Sequence, residues 1–236
     1  MSATVAIMQP YAFPYLGYFS LVAAADVFVF YDDVNYIPRG WINRNRVLIN
    51  GQSHTFTIPV AGASQNDRIL DVRLHEFDGF RDKFLKQVRL AYARAPNFEA
   101  GYAYVLSVFA CEPATIAQLA IDSVTLLCRQ LGIERRFLRS SQLSPETQGM
   151  DKAERLVAIT RALGATKYVN ALGGTALYDK PRFAALGVEL SFVSPRLGAY
   201  PQGQAAEFTA GLSIIDVLMN NSAAQVVRMI GDYELV

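Results

Sequence analysis

The feature that most narrows the fold is the stretch from Thr4 to Tyr31. Thr4 to Gln9 (TVAIMQ) is a short apolar run rich in strand formers and closed by Pro10. Tyr15 to Ala25 (YLGYFSLVAAA) can close a helix, and after Asp26 the run VFVFY is dense in β-branched and aromatic residues. Strand, helix and strand within about 30 residues is the size of a βαβ unit, whose crossover is right-handed. The chain therefore opens as a parallel-sheet protein.

The remainder extends that pattern. VLIN, Gly51-Gln52-Ser53 and HTFTIPV read as a hairpin, and a short strand is expected over Ile69 to Leu74. The middle is helical: the segment FRDKFLKQVRLAYARA spaces Phe80, Phe84, Leu85, Val88 and Tyr92 for one apolar face and stops at Pro96. Phe98 to Phe109 reads as a second helix, and Pro113 to Leu131 as a third capped by Gly132. The last third alternates again. RRFLRSS, TKYVN and VELSFV read as strands, Asp151 to Leu163 as a helix, Gly173-Gly174 as the entry to a short helix, and LSIIDVLMNN and AAQVVRMI as closing helices. The economical description is one α/β domain over 1–236, a mostly parallel sheet flanked by helices, with a helical insertion over about 77–131.

Composition excludes more than it names. With 236 residues, 52% of them hydrophobic and 18% charged, the chain has enough apolar surface for a sizeable core. A net charge of +1 gives no bulk reason for nucleic-acid or anionic-membrane binding. No run of about 20 apolar residues occurs to span a membrane. The beginning of the sequence lacks a basic leader, and Pro10, Pro14 and Gly17 interrupt its apolar run, so a cytoplasmic protein is expected. Cys111 and Cys128 are too few for a disulfide framework and read as free thiols. Cys111 precedes an expected helix start, whose dipole could lower its pKa.

Chemistry-bearing residues concentrate between Gln9 and Arg46. Gln9, Asp32, Asp33, Arg39, Trp41, Asn43, Arg44, Asn45 and Arg46 follow two expected parallel strands, and ligands of open α/β sheets sit beyond the carboxyl ends of the strands. The three arginines suit fork-like pairing with phosphate or carboxylate, while Trp41 or Tyr36 offers a ring to a base or sugar. Gly173 and Gly174, after Asn170, form a candidate anion-binding second wall. Asp216 stands among apolar residues and needs a partner, for which an arginine of the early cluster is the candidate. With only His54 and His75 present, neither at metal-ligand spacing, no metal site is expected. His54 is the better general-base candidate of the two.

Tyr15, Gly17 and Tyr18 lie at the entrance of the first helix. There, nucleotidyltransferases of the HIGH superfamily carry the two histidines that contact nucleotide phosphates. Tyrosine is neutral at pH 7 and cannot supply imidazolium charge, so the analogy supports a Rossmann-like fold more than the activity.

Several runs together resemble the WbqC-like family: MQPYAFPYLGYFSLVAAADVFVFYDDVNYIPRGWINRNRVL, HTFTIPV, AYARAPNFE, YVNALGGTALYD and AEFTAGLSIIDVLMNN. That resemblance implies a bacterial cytoplasmic protein associated with O-antigen and other surface-polysaccharide pathways. The expected activity is transfer of an acyl or aminoacyl group to a nucleotide-linked amino sugar. Asp32, Asp33 or His54 would accept the amine proton, and Arg39, Arg44 and Arg46 would hold the diphosphate. Gln9, Tyr15, Tyr18, Tyr36, Trp41, Asn43, Asn45, Asn170, Gly173 and Gly174 would complete the binding surface. The alternatives are a non-catalytic nucleotide-sugar or anion-binding protein and an active nucleotidyltransferase. No cofactor is specified by the residues.

Overall fold

The computed structural model describes residues 3–203, 205 and 207–236. Strand β1 (Thr4–Met8) feeds helix α1 (Leu16–Ala23), which returns to strand β2 (Val27–Phe30) parallel to β1. The expected βαβ unit is there. A hairpin of β3 (Arg44–Ile49) and β4 (Gln52–Thr57) forms a separate two-stranded sheet. Helices α2 (Phe77–Tyr92), α3 (Phe98–Phe109) and α4 (Ile116–Gln130) follow, and Thr115 caps α4 by accepting from the Gln118 backbone N–H. The chain then re-enters the sheet as β5 (Arg136–Arg139), parallel to β2.

The single turn α5 (Ser140–Leu143) and helix α6 (Lys152–Ala162) lead to β6 (Lys167–Ala171), which joins β1 on its free side, also parallel. Helix α7 (Lys180–Ala185) precedes β7 (Glu189–Pro195), parallel to β6. Helices α8 (Ile214–Asn220) and α9 (Ala223–Gly231) and strand β8 (Tyr233–Leu235), antiparallel to β7, end the fold. The six-stranded sheet runs β5-β2-β1-β6-β7-β8.

Alternation along the strands builds two cores. Ala6, Phe28, Phe30, Val169 and Val193 face the larger one, with α1, α3, α4, α8 and α9; Val5, Ile7, Val27, Val29, Tyr168 and Leu190 face the smaller, with α6 and α7.

Three expectations are corrected. The strand expected over 69–74 begins instead as a short 3₁₀ turn, Ile69–Asp71, because the Ile69 and Leu70 N–H groups donate back to the Val34 and Asp32 carbonyls, and only Arg73 and Leu74 pair, as isolated antiparallel bridges to Thr115 and Val60. Gly173 and Gly174 lie inside a 3₁₀ turn, Leu172–Ala176, with α7 beginning only after Asp179 caps it. Cys111 lies beyond the end of α3, well short of α4, and burial raises its thiol pKa rather than a dipole lowering it. Both cysteines are free, and burial pushes the Cys128 thiol up to about 12.

Candidate functional site

Because β1, β2, β5, β6 and β7 are all parallel, their carboxyl ends share one edge of the sheet. Gln9, Asp32, Asp33 and the Asn170–Gly174 segment are all brought to it. How each side chain is used there was not legible beforehand.

At the β2–β5 end the carboxylates are engaged. Asp33 Oδ2 accepts from Arg155 Nη2 at 2.6 Å and Gln148 Nε2 at 3.0 Å, while Oδ1 accepts from Ser140 Oγ at 2.5 Å. Arg155 also donates from Nε to Thr147 and lies with its guanidinium 4.8 Å from the Tyr31 ring. Burial alone would raise the Asp33 pKa, but hydrogen bonds from Ser140, Arg155 and Gln148 and the guanidinium charge outweigh it and hold the group below the ordinary carboxylate value. Asp32 accepts from Ser140 Oγ, Ser141 N and Ser141 Oγ. Both carboxylates thus tie the end of β2 to the start of α5 and α6. His54 is elsewhere, exposed on β4 opposite Val47, beside the seam between the hairpin and α2 where Phe84 and Val88 sit.

The loop after β1 is tied down just as tightly. Phe13, at φ +48, gives its N–H to Ser123 Oγ and takes two hydrogen bonds on its carbonyl, from Asn45 Nδ2 at 2.7 Å and Ser213 Oγ at 2.8 Å. Asn43 is also internal: its Nδ2 donates to the Ile58 carbonyl, and its Oδ1 accepts from Tyr36. Tyr18 is enclosed, with its hydroxyl on the Gln9 carbonyl. Gln9 itself receives the Tyr11 hydroxyl at 3.5 Å. On the far side of the sheet centre, Asn170 donates to the Tyr168 hydroxyl, and its side chain lies against Gly174 so closely that a Cβ there would sit 3.0 Å away.

Two of the early arginines bond to backbone carbonyls. Among the described residues no hydrogen bond or ion pair joins Arg39, Arg44 or Arg46 to the 172–176 turn. Arg44 Nη1 donates to the Arg39 carbonyl at 2.9 Å, and Arg46 Nη2 to the Gly211 carbonyl at 3.2 Å. Nor does an arginine meet Asp216, a correction with a clear cause: two tyrosines reach it first. Tyr92 donates to Oδ1 and Tyr200 to Oδ2, each at 2.7 Å, and Gln202 adds a third bond at 3.2 Å. Burial raises the Asp216 pKa, with these three donors pulling it partly back.

What the sequence did not reveal is the cleft these groups frame. Between α1 and the connection from β7 to α8, Tyr15, Leu16, Leu197, Tyr200, Phe208 and Val217 line a narrow crevice of about 20 Å³. Tyr15 follows β1 and Leu197 follows β7, so it opens at the carboxyl edge. The covering segment 197–211 is pinned through Tyr200 and Gln202 to Asp216, through the Gln202–Thr209 bonds to itself, and through Ala210 and Gly211 to Arg46. Gly17 is required at the neighbouring turn of α1, where a Cβ would come 2.5 Å from the Tyr15 ring and 3.0 Å from Pro195. The only legible signal for the cleft was the aromatic and glycine content of 198–211.

Among the described residues no group of histidine, cysteine and carboxylate side chains is placed to hold a metal, and no helix is long and apolar enough to cross a membrane. The model of the WbqC-like protein family matches residues 9–228. An uncharacterized protein of Mycobacterium tuberculosis is 27% identical over 221 residues, spanning 93% of this chain and 94% of its own length. No solved structure matches the chain significantly.

Proposed function

The chain belongs to the WbqC-like protein family, and we propose that it holds a nucleotide-linked amino sugar in the aromatic cleft during cytoplasmic steps of bacterial surface-polysaccharide assembly. The observation that carries this reading is where the cleft opens. It lies beyond the carboxyl ends of parallel strands, which is where doubly wound sheets take nucleotides. Taken in chain order, the parallel strands run third-second-first-fourth-fifth, which supports a Rossmann-like assignment.

Tyr15, Tyr200 and Phe208 offer ring faces to a base or sugar, and Arg46 at the rim brings a cation suited to a diphosphate. Ligand pockets usually occupy about 300–1,000 Å³, so a whole nucleotide sugar needs the Tyr200 and Phe208 side chains to swing away from Tyr15.

Holding is favoured over transfer. Attachment of an acyl or aminoacyl group needs an acceptor for the amine proton, whereas Asp32 and Asp33 are already engaged by five donor groups, the Ser140 hydroxyl being shared between them. Nucleotidyl transfer is disfavoured by Tyr18, whose hydroxyl is turned into the protein.

The test is calorimetry and thermal unfolding with UDP-, GDP-, CMP- and dTDP-linked amino sugars. A binding member at 100 times its Kd stabilises the fold by about 2.7 kcal/mol, and Tyr200→Ala abolishes the gain. If no member of the panel binds, the reading fails. Acylated or aminoacylated sugar in the mass spectrum, given the corresponding donor, would restore transfer as the function.

A further inference from the structure

The connection from β2 to β3 carries a surface that the cleft does not use. Its base is closed by buried Tyr36, which donates to Asn43 Oδ1 at 2.8 Å. Between these anchors the chain turns outward. The Gly40 N–H donates to the Ile37 carbonyl at 3.0 Å, making a tight turn with Pro38 and Arg39 at its centre. Arg39 is held at φ +61, a conformation that a non-glycine residue keeps only where its surroundings fix it; the bond from Arg44 to its carbonyl does so. Gly40 leaves no room for a side chain, since a Cβ would meet the Ile37 carbonyl at 2.9 Å.

This bracing presents apolar groups to water. Ile37 and Trp41 are each 49% exposed, Pro38 and Arg39 are exposed between them, and Tyr36, Ile42 and Asn43 on either side are buried. The Arg46 guanidinium lies 5.8 Å from the Trp41 ring. Charge here has one sign: Arg39, Arg44 and Arg46 fall in a stretch with no acidic residue from Val34 to Asn66. The next two carboxylates are engaged, Asp67 by Ser64 and Asp71 by Arg68.

We propose that this tip docks the protein on an anionic lipid surface. Ile37 and Trp41 enter the interfacial layer, while exposed Arg39 meets headgroup phosphates and Arg44 and Arg46, bonded to the Arg39 and Gly211 carbonyls, add positive charge behind it. Tryptophan settles at headgroup depth because its ring is apolar and its N–H is not, and cationic side chains are drawn to an anionic leaflet. Exposed Ile37 and Trp41 beside side chains of one positive sign match an anionic leaflet in both apolar and charged character. Since Arg46 touches both Trp41 and the Gly211 carbonyl, docking sets the rim of the cleft beside the membrane.

Trp41 is the sole tryptophan, so its emission reports on the tip alone. The full chain is titrated with phosphatidylcholine vesicles, with and without phosphatidylglycerol, reading emission and co-sedimentation. The expected result is a blue shift and sedimentation with the anionic vesicles only, weakened by salt. The double variant Ile37→Ser, Arg39→Glu should weaken binding by about tenfold or more while its melting temperature stays at the wild-type value. The proposal is overturned by an absent shift, by equal binding to neutral vesicles, or by unweakened binding of the double variant. A shift caused by a nucleotide sugar in vesicle-free solution, with none on anionic vesicles, overturns it as well and returns Trp41 to the ligand site.

Discussion

Asp216 shows how one side chain can organise a region. Its carboxyl takes bonds from α2 through Tyr92 and from the cleft cover through Tyr200 and Gln202, and Tyr92 in turn accepts the Leu48 N–H of β3. Removing it leaves the Tyr92 and Tyr200 hydroxyls without their acceptor and takes from Gln202 Nε2 one of its two, so Asp216→Ala should lower unfolding free energy by about 2–4 kcal/mol in urea titrations. A loss within about 0.5 kcal/mol would show that the carboxyl holds little. The sequence made Asp216 visible as a polar residue in an apolar run, but not its partners. The same holds for Asn43, Asn45 and Tyr36. Residue type announces hydrogen-bonding capacity, whereas the groups that use it lie far off in the chain, as Phe13 does for Asn45.

Elements were the most legible level. The 3.6-residue spacing of Phe80, Phe84, Val88 and Tyr92 gave α2 its buried face, and Asn97 and Ala110 bound α3 at the limits expected for it. Where local spacing decided less, the reading slipped. Residues 69–74 have a strand's composition, yet the Ile69 and Leu70 N–H groups are captured by the Val34 and Asp32 carbonyls, and β8 is three residues long with no pattern to announce it. Packing between helices was not legible either. Gly101 lets α3 approach α8 so closely that a Cβ would stand 2.8 Å from the Met219 sulfur and 3.2 Å from the Met219 backbone nitrogen. Gly101→Ala should therefore cost about 1–3 kcal/mol despite alanine's better helix propensity, and thermal unfolding decides. A gain in stability would mean that the two helices part without strain.

At the scale of the molecule, two buried carboxyls titrate with opposite signs. The Asp33 pKa is depressed by folding. Its contribution is present above the unfolded value of about 3.9 and is lost as pH falls through the folded one. The Asp216 pKa is raised, so its contribution is full below about 3.9 and is lost as pH rises through the folded value. Stability measured in urea from about pH 3 to 7 should show the lead of wild type over Asp33→Asn shrinking on acidification. Its lead over Asp216→Asn should shrink in the opposite direction, and parallel curves would contradict both assignments. The parallel sheet itself was legible from the opening βαβ unit, because buried parallel strands leave continuous apolar runs. The cleft was not, since it exists only where 15–17 meets 197–212.

The carbonyl of Phe13 carries a cost in time. Its two donors are 32 and 200 residues downstream, in Asn45 and Ser213. A ribosome releases the first of these early and the second only when synthesis is nearly done, so the opening turn waits unfinished in water while most of the protein emerges. Nascent chains halted before residue 213 lack the second donor and hold that carbonyl through Asn45 alone.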